Sequence, residues 1–183
     1  VSVAEILLPP PGRGEVLVRV EAAAVSAGDA RLRAARFPQG FGVLARLAVG
    51  LRGPRRPVLG AAFSGVIERI GPDVTAVSPG DEVAGMAGAR MGVHAEYAAL
   101  PAGVLVPKPA EVSHNDAAAA LFGGTTALWF LRDRAHVAAG ESVLVNGASG
   151  SVGSAAVQLA KHLGATVATT CSASSADLVR SEA

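Results

Sequence analysis

Cysteine, aromatic residues and net charge are all scarce in this chain of 183 residues. Its one cysteine, Cys171, excludes a disulfide within the chain and any structural zinc site built from several cysteines. A formal net charge of +1 argues against a general nucleic-acid-binding surface. The sequence also has no run of about 18 or more consecutive apolar residues, the minimum for a membrane span. We therefore expect a protein of the reducing cytoplasm without a nucleic-acid or membrane partner.

The one local concentration of charge is a group of four arginines, Arg46, Arg52, Arg55 and Arg56. Clusters of this kind are usually solvated loop surface, and we interpret this cluster in that way. The alternative is that it steers a phosphorylated cofactor towards its site.

The first part of the chain, up to about residue 110, consists of short apolar runs separated by glycine and proline turns. The alternation of Val16, Val18 and Val20 indicates one strand. Turn residues at 71–73 and 79–81 separate further runs. Many short strands of this kind predict a small barrel-like β-domain.

Helix signals dominate from Ser113 onward. Ser113, with Asp116 three residues later, is typical of a helix start. Positions 123 and 124 are both glycine, and we expect this pair to interrupt the helix. Residues 125–136 are then predicted to form a second helix. Gly140 is expected to end that second helix.

A glycine-rich turn follows a short buried strand at 142–145 and leads directly into a helix at 151–163 and a strand at 165–170. This order is a βαβ unit with parallel strands. Glycines in such a turn permit a tight bend, close approach of the backbone to a pyrophosphate and close packing of the helix on its strand. Free backbone N–H groups and the positive end of the helix dipole then hold the phosphates.

The turn predicts a nicotinamide-dinucleotide site, the alternative being an ordinary glycine-rich βα turn. The cofactor-binding residues predicted here are Asn146, Gly147, Ala148, Ser149, Gly150, Ser151, Val152 and Gly153.

The end of the second strand indicates which dinucleotide is bound. An acidic residue at this place accepts from the ribose 2′-OH and favours NAD. Here hydroxyl-bearing residues are found instead, and no carboxylate occurs before Asp177. We predict NADPH, with Ser172, Ser175 and Arg180 binding the 2′-phosphate. The alternative is that the serines only cap the next helix.

Several motifs in a fixed order carry a family resemblance. They are GEVLVRVEAAAVSAGDARLR at 14–33, PVLGAAFSGVIERIGPDV at 57–74, SPGDEVAG at 78–85, HAEYAALPAG at 94–103 and DAAAALFGGTTAL at 116–128, followed by the glycine turn. The chain thereby resembles the medium-chain dehydrogenase/reductase superfamily, and within it the zinc-free quinone-oxidoreductase-like branch. The resemblance implies a β-rich GroES-like catalytic domain at residues 1–120 and the first part of an α/β Rossmann domain at 121–183. It also implies an active site in the cleft between the two domains.

The resemblance further implies that no metal is bound. In the zinc-dependent relatives a cysteine stands at the position of Ser26, and a His-Glu pair stands at the positions of Ala61 and Ala62. Neither serine nor alanine gives zinc a useful set of ligands. The chain also departs from the zinc-free branch, which often has asparagine in place of Ser26 and an acidic residue in place of Ala62. The histidines at 94, 114, 136 and 162 are interpreted as surface or capping residues.

Without a metal, a quinone or an α,β-unsaturated carbonyl is an easier substrate than a simple ketone, because the developing charge spreads through conjugation. The resemblance places three candidate catalytic residues near the cleft. Ser26 would donate to a substrate oxygen and Thr126 would position the nicotinamide side. Tyr97 is the third candidate, with a buried strand aromatic as the alternative, and Asp29 is expected to fix a turn. Two other functions stay open: an alcohol or aldehyde reductase of the same family, and a non-catalytic cofactor-binding paralogue.

A complete Rossmann sheet has two βαβαβ halves, of which the sequence contains the beginning of one. We expect the Rossmann domain to be truncated, and this stretch by itself to bind cofactor and turn over weakly. An unpaired strand edge is expected to favour self-association into a homo-oligomer.

Overall fold

The structure, a computed structural model, describes residues 3–8, 10–34 and 58–182. It divides into two compact units, Val1–Ala119 and Ala120–Ala183, called the first and second unit below. The arginine cluster at 46–56 lies outside the described residues. The first unit is rich in β-strands and the second is an α/β unit, which confirms the predicted fold class.

The first unit is organised around an antiparallel sheet of five strands in the order β4-β1-β2-β3-β5. The strands are β1 (Glu15–Ala23), β2 (Ala62–Ile70), β3 (Glu82–Met86), β4 (Tyr97–Pro101) and β5 (Leu105–Pro107). One short helix, α1 (Ala27–Arg33), follows β1. The predicted alternation in β1 is confirmed, because Val16 and Val18 are fully buried in the core and Val20 packs against it.

The core of the first unit is built largely from side chains of this sheet. Its largest fully buried side chain is Phe63 of β2, and Ile67 of the same strand is 1% exposed. Val83 of β3 and Leu100 of β4 belong to the same cluster as these two side chains, and each is 1% exposed. The cluster thus buries apolar side chains from three strands. Burial of apolar surface is the main favourable contribution to folding.

A polar cluster joins the sheet to the start of the next helix, α2 (His114–Leu128). The Lys108 side chain is only 3% exposed, and its ammonium group binds Glu82 Oε2 at 3.0 Å and the Val112 carbonyl at 2.6 Å. The fully buried Ser64 hydroxyl lies 2.7 Å from Nδ1 of His114. His114 therefore belongs to a partly buried network and is not a free surface histidine.

The prediction of two helices separated by glycines is wrong. Helix α2 passes through Gly123 and Gly124 without a break and continues as a π-helical turn, Trp129–Arg134. A glycine inside a helix costs about 1 kcal/mol relative to alanine, an amount that tertiary packing readily offsets. The predicted start of the helix is confirmed, since the Asp116 amide donates to Ser113 Oγ at 3.1 Å.

The second unit contains a parallel strand pair, as predicted. Its elements after α2 are β6 (Ser142–Asn146), α3 (Ser151–His162), β7 (Thr166–Thr170) and α4 (Ala176–Glu182). β6 and β7 pair in parallel from Ser142 opposite Thr166 to Asn146 opposite Thr170. The carboxyl ends of the two strands therefore lie side by side, the edge at which α/β sheets bind ligands.

Strand β2 offers a matched test of this packing. Ile67→Ala is expected to lower the free energy of unfolding by about 2–5 kcal/mol, because it leaves a cavity in a closed core. Ile70→Ala, at the 39% exposed end of the same strand, should cost less than about 1 kcal/mol. Urea denaturation followed by far-ultraviolet circular dichroism measures both, and equal losses would contradict the described burial.

Candidate functional site

The glycine-rich turn between β6 and α3 is pinned to the end of β7. The backbone amides of Gly147 and Ala148 both donate to the Thr170 carbonyl at 3.0 Å. Gly147 has a φ of 78°, a conformation that side-chain-bearing residues rarely adopt. Ala148 is fully buried. These two residues shape the turn, and their amides already have protein acceptors.

The amides that follow are different. Gly150 is the N-cap of α3 and no side chain caps the helix there. The Ser154 amide donates to the Gly150 carbonyl at 2.8 Å. In the part of the chain that the structure describes, no acceptor faces the amides of Ser151, Val152 and Gly153. Three free donors at the positive end of a helix form a suitable site for an anion such as a diphosphate.

Close packing keeps these donors next to the turn. A Cβ atom on Gly153 would lie 2.2 Å from the Gly147 carbonyl oxygen and 2.8 Å from Cα of Ala148. Real Cβ atoms essentially never approach backbone atoms so closely, so any larger residue at this position would push α3 away from the turn. The predicted role of Gly153 in helix-to-strand packing is therefore what the geometry requires.

Hydroxyl groups surround the adjacent strand ends. Thr170 Oγ1 donates to Asn146 Oδ1 at 2.5 Å, so the Asn146 amide oxygen already has a partner. Just beyond β7, Ser172 Oγ lies 3.0 Å from Ser174 Oγ and 3.1 Å from Ser175 Oγ. The three serines are thus gathered at the same sheet edge as the glycine turn.

Arg180 lies on α4 and bonds Asp177 Oδ1 at 2.8 Å, with 76% of its side chain exposed. An exposed pair of this kind contributes little to stability and is easily exchanged for another anion. The guanidinium group is therefore available for a phosphate only in competition with Asp177.

Ser26, the first predicted catalytic residue, is the N-cap of α1. Its hydroxyl donates to Asp29 Oδ2 at 2.7 Å and accepts from the Asp29 amide at 3.3 Å. The Ser26 amide donates to the same carboxylate at 2.8 Å, which completes a reciprocal capping box. Asp29 thus fixes a turn, as predicted, and the one proton of the Ser26 hydroxyl is already donated.

Tyr97, the third candidate, begins β4 and is half-buried. It lines a groove of about 1620 Å³ in the first unit together with Asp29 and His94. His94 is oriented by a 3.0 Å contact between its Nε2 and the Ala24 carbonyl. Within the described residues, no side chain or carbonyl accepts a hydrogen bond from the Tyr97 hydroxyl. The structure therefore leaves this phenol proton available to a ligand in the groove.

Thr126, the second candidate, lies near the end of α2 in the second unit. Its Oγ1 donates to the Phe122 carbonyl one turn earlier, at 2.7 Å. The hydroxyl proton is consequently used inside the helix, while the oxygen keeps its capacity to accept. The catalytic roles of Ser26, Tyr97 and Thr126 stay predictions.

Sequence reasoning missed two residues that the structure brings to these sites. His94 was interpreted as a surface or capping histidine, and it lines the groove beside Asp29. Gly123 was interpreted as a helix breaker, and it is buried against the first residue of α3. The signal for Gly123 is a glycine pair inside an otherwise helical pattern, because a helix tolerates such glycines and they can serve close packing.

No group of three or more His, Cys, Asp or Glu side chains among residues 3–8, 10–34 and 58–182 is placed to hold a metal ion. Within the same ranges, no helix has the length and apolarity needed to cross a membrane.

Comparison with known proteins adds a family match. The family model "Alcohol dehydrogenase GroES-like domain" matches residues 12–110, which is more than half of the chain. The chain is also 36% identical over 189 aligned residues to the spectinabilin polyketide synthase system protein NorB of Streptomyces orinoci. That alignment covers 95% of this chain and 8% of NorB.

Solved structures show the same fold. The CurK enoyl reductase is 26% identical with a TM-score of 0.83, and the alignment covers 98% of this chain and 52% of that one. The Escherichia coli quinone oxidoreductase complexed with NADPH is 25% identical with a TM-score of 0.82, covering 98% and 51%. The chain thus spans about half the length of the solved structures it matches and a small part of NorB.

The capping box makes a pH-dependent contribution to stability. Burial by itself would raise the pKa of Asp29, but hydrogen bonds from Ser26, the charge of His94 and a bond from the Gly60 backbone hold it below the usual 3.8. Because the folded-state pKa is the lower one, this contribution is complete above the unfolded-state pKa. It is lost as the pH falls through the folded-state pKa.

Asp29→Asn is therefore expected to lower the free energy of unfolding by about 1 kcal/mol at neutral pH, because a charged cap is lost. The deficit should shrink as the pH falls through the folded-state pKa of Asp29, which lies below the usual 3.8, because Asp29 itself then becomes neutral. Urea denaturation of both proteins across this range measures the difference. A deficit that is constant with pH would show that the carboxylate charge is not stabilising.

Proposed function

Because the chain belongs to the alcohol dehydrogenase GroES-like family of the medium-chain dehydrogenase/reductase superfamily, we propose that it carries the cofactor turn of a zinc-independent reductase. Its cofactor is NADPH and its substrate a conjugated carbonyl compound. The observation that carries the proposal is the set of three amides without an acceptor at the start of α3.

The residues of the turn fit a dinucleotide. Ser151, Val152 and Gly153 would donate their amides to the diphosphate, and the buried contact of Gly153 with Gly147 keeps the backbone close enough for this. Gly147 and Ala148 would support the site through the Thr170 carbonyl and would not bind the diphosphate through their own amides. When bound, the nicotinamide supplies a hydride.

NADPH is proposed in preference to NADH because of the segment after β7. Ser172 and Ser175 place hydroxyl donors at the sheet edge where an acidic residue would select NADH. The mutual contacts of the serines are exposed, so they can be exchanged for a phosphate at little cost. Arg180 adds a positive charge that a 2′-phosphate, with more charge than the Asp177 carboxylate, can attract.

The choice of substrate follows from the donors that the chain offers. Ser26, Ala61 and Ala62 occupy the positions at which the zinc-dependent relatives have ligands, and none of them is a useful zinc ligand. A conjugated carbonyl needs less stabilisation of charge on its oxygen than a simple ketone, so one hydroxyl donor is adequate. The polyketide synthase protein and the enoyl reductase among the similar proteins support an α,β-unsaturated acyl compound, and the quinone oxidoreductase supports a quinone as the second candidate.

Tyr97 is proposed as the group that supplies the proton. Of the three candidate hydroxyls, Ser26 and Thr126 already donate to Asp29 and Phe122, whereas no acceptor for Tyr97 is found among the described residues. Its position on the wall of the groove lets a ligand reach it. Thr126 would instead accept a hydrogen bond through its oxygen, consistent with a positioning role.

Titration with NADPH, followed through backbone amide signals of the isotope-labelled chain, tests the cofactor site. The largest shifts are expected at Ser151, Val152 and Gly153, because their amides gain an acceptor. Gly147 and Ala148 serve as internal controls and should shift less. NADH should bind more weakly, and replacing both Ser172 and Ser175 by alanine should remove most of that difference. Binding that leaves the start of α3 unaffected would refute the assignment.

The substrate class is tested by NADPH consumption with an α,β-unsaturated thioester, a benzoquinone and a saturated ketone. Because this stretch by itself is expected to turn over weakly, we expect slow consumption with the two conjugated compounds, fastest with the thioester, and none with the ketone. Tyr97→Phe should lower kcat about a hundredfold with little change in KM, as removal of a general acid does. Turnover of the saturated ketone would favour an alcohol or aldehyde reductase instead.

A further inference from the structure

The buried face of helix α2 in the second unit begins with a glycine. Gly123, Ala127 and Leu131 follow one another at intervals of four residues, the spacing that places side chains on one face of a helix. All three are buried, Ala127 being 2% and Leu131 8% exposed. Gly123 is the member of this face with a close contact to the first residue of α3.

The contact made by Gly123 is with the backbone of α3. A Cβ atom at this position would lie 2.3 Å from the Ser151 carbonyl oxygen, 2.5 Å from Ser151 Oγ and 2.7 Å from the Ser151 carbonyl carbon. Two of these three atoms belong to the backbone and cannot rotate away as a side chain could. Any residue other than glycine at 123 must therefore move one helix relative to the other.

The neighbouring glycine has no such contact. A Cβ atom on Gly124 would meet only the Cβ of Ala120, at 4.0 Å, an ordinary van der Waals distance. The two glycines have the same intrinsic effect on the helix, yet only one of them lies against α3. This difference provides a matched pair of positions.

Ser151 is the first residue of α3, and its amide is one of the three without an acceptor. The first turn of α3 is thus held on one side by Gly153 against Gly147 and on the other by Gly123 against Ser151. Two close backbone contacts on different sides fix the position of the donors, whereas one would leave the helix free to tilt.

We propose that Gly123 is a positioning residue of the dinucleotide site, a role that rests on the proposed function. It lies outside the glycine-rich turn in sequence and sets the separation between α2 and the amides that receive the diphosphate. It also positions Thr126, which lies three residues further along the same helix, about 4.5 Å in rise. A change at 123 therefore disturbs the diphosphate donors and the Thr126 oxygen together.

The test compares Gly123→Ala with Gly124→Ala. Both substitutions raise helix propensity, so both should leave far-ultraviolet circular dichroism intact. Gly123→Ala is expected to weaken NADPH binding about tenfold or more, since small misplacements of binding groups have effects of this size. Gly124→Ala should bind within about twofold of the unchanged chain, because it adds propensity without a contact. The dissociation constants are measured at a temperature at which every variant is folded.

A double variant and a measurement on the unchanged chain test the proposal even if Gly123→Ala folds poorly. The double variant, with alanine at both positions, gains helix propensity twice and should still bind weakly. In the unchanged chain, the Gly123 amide signal should move along the same NADPH saturation curve as Ser151 and Val152, and the Gly124 signal should move less. A Gly123 signal that stays fixed while Ser151 shifts would overturn the proposal without any variant.

The two proposals fail in different ways. If the unchanged chain binds NADPH at the start of α3 and Gly123→Ala binds it equally well, Gly123 has no positioning role and the proposed function stands. If the unchanged chain shows no binding of NADPH at all, the proposed function fails and this inference fails with it.

Discussion

Backbone amides without a protein acceptor at the start of α3 are the feature on which the functional proposal depends. Leaving three N–H donors in one helical turn without a hydrogen-bond acceptor costs free energy, unless water or an anion accepts from them. Their position follows from contacts in which no side chain is tolerated: Gly153 on the Gly147 carbonyl and Gly123 on the Ser151 carbonyl. The Thr170 carbonyl completes the arrangement by holding the two amides that precede the helix. The site is thus built from backbone groups. Its ability to bind an anion therefore depends mainly on close packing of the chain, and less on polar side chains.

Hydrogen bonding also decides which hydroxyl groups of the chain remain available for chemistry. Ser26 and Thr126 each have one proton, and each donates it to a neighbour in its own helix, to Asp29 and to Phe122. The capping box around Asp29 stabilises the start of α1, and the lowered pKa of that carboxyl keeps it ionised as an acceptor. Each of these two hydroxyls therefore stabilises its own helix first. Among the three candidate hydroxyls, this leaves Tyr97, on a strand beside an open groove, as the one with no recorded acceptor for its proton.

Sequence patterns and structure agree where local preference and tertiary packing favour the same conformation. The alternation of Val16 and Val18, the cap formed by Ser113 and the strand-turn-helix order at 142–163 are local signals, and each was confirmed. The prediction that the Gly123–Gly124 pair interrupts the helix was wrong. A glycine pair looks the same in a sequence whether it ends a helix or lets another helix approach. Only the contact with Ser151, 28 residues away in the numbering, distinguishes the two cases. His114 is a similar case, since its partners Ser64 and Glu82 are distant in sequence.

The sequence by itself determined the fold class, the parallel strand pair and the location of the glycine-rich turn. These follow from hydrophobic periodicity and from glycines at fixed spacing, which act over a few residues. Only the tertiary structure decided which amides of that turn lack acceptors, which candidate hydroxyls had already donated their protons, and which of two adjacent glycines lies against α3. Such questions concern the pairing of donors with acceptors and the exclusion of overlapping atoms between distant segments. No local pattern encodes that pairing, because it exists only once the chain has brought those segments together.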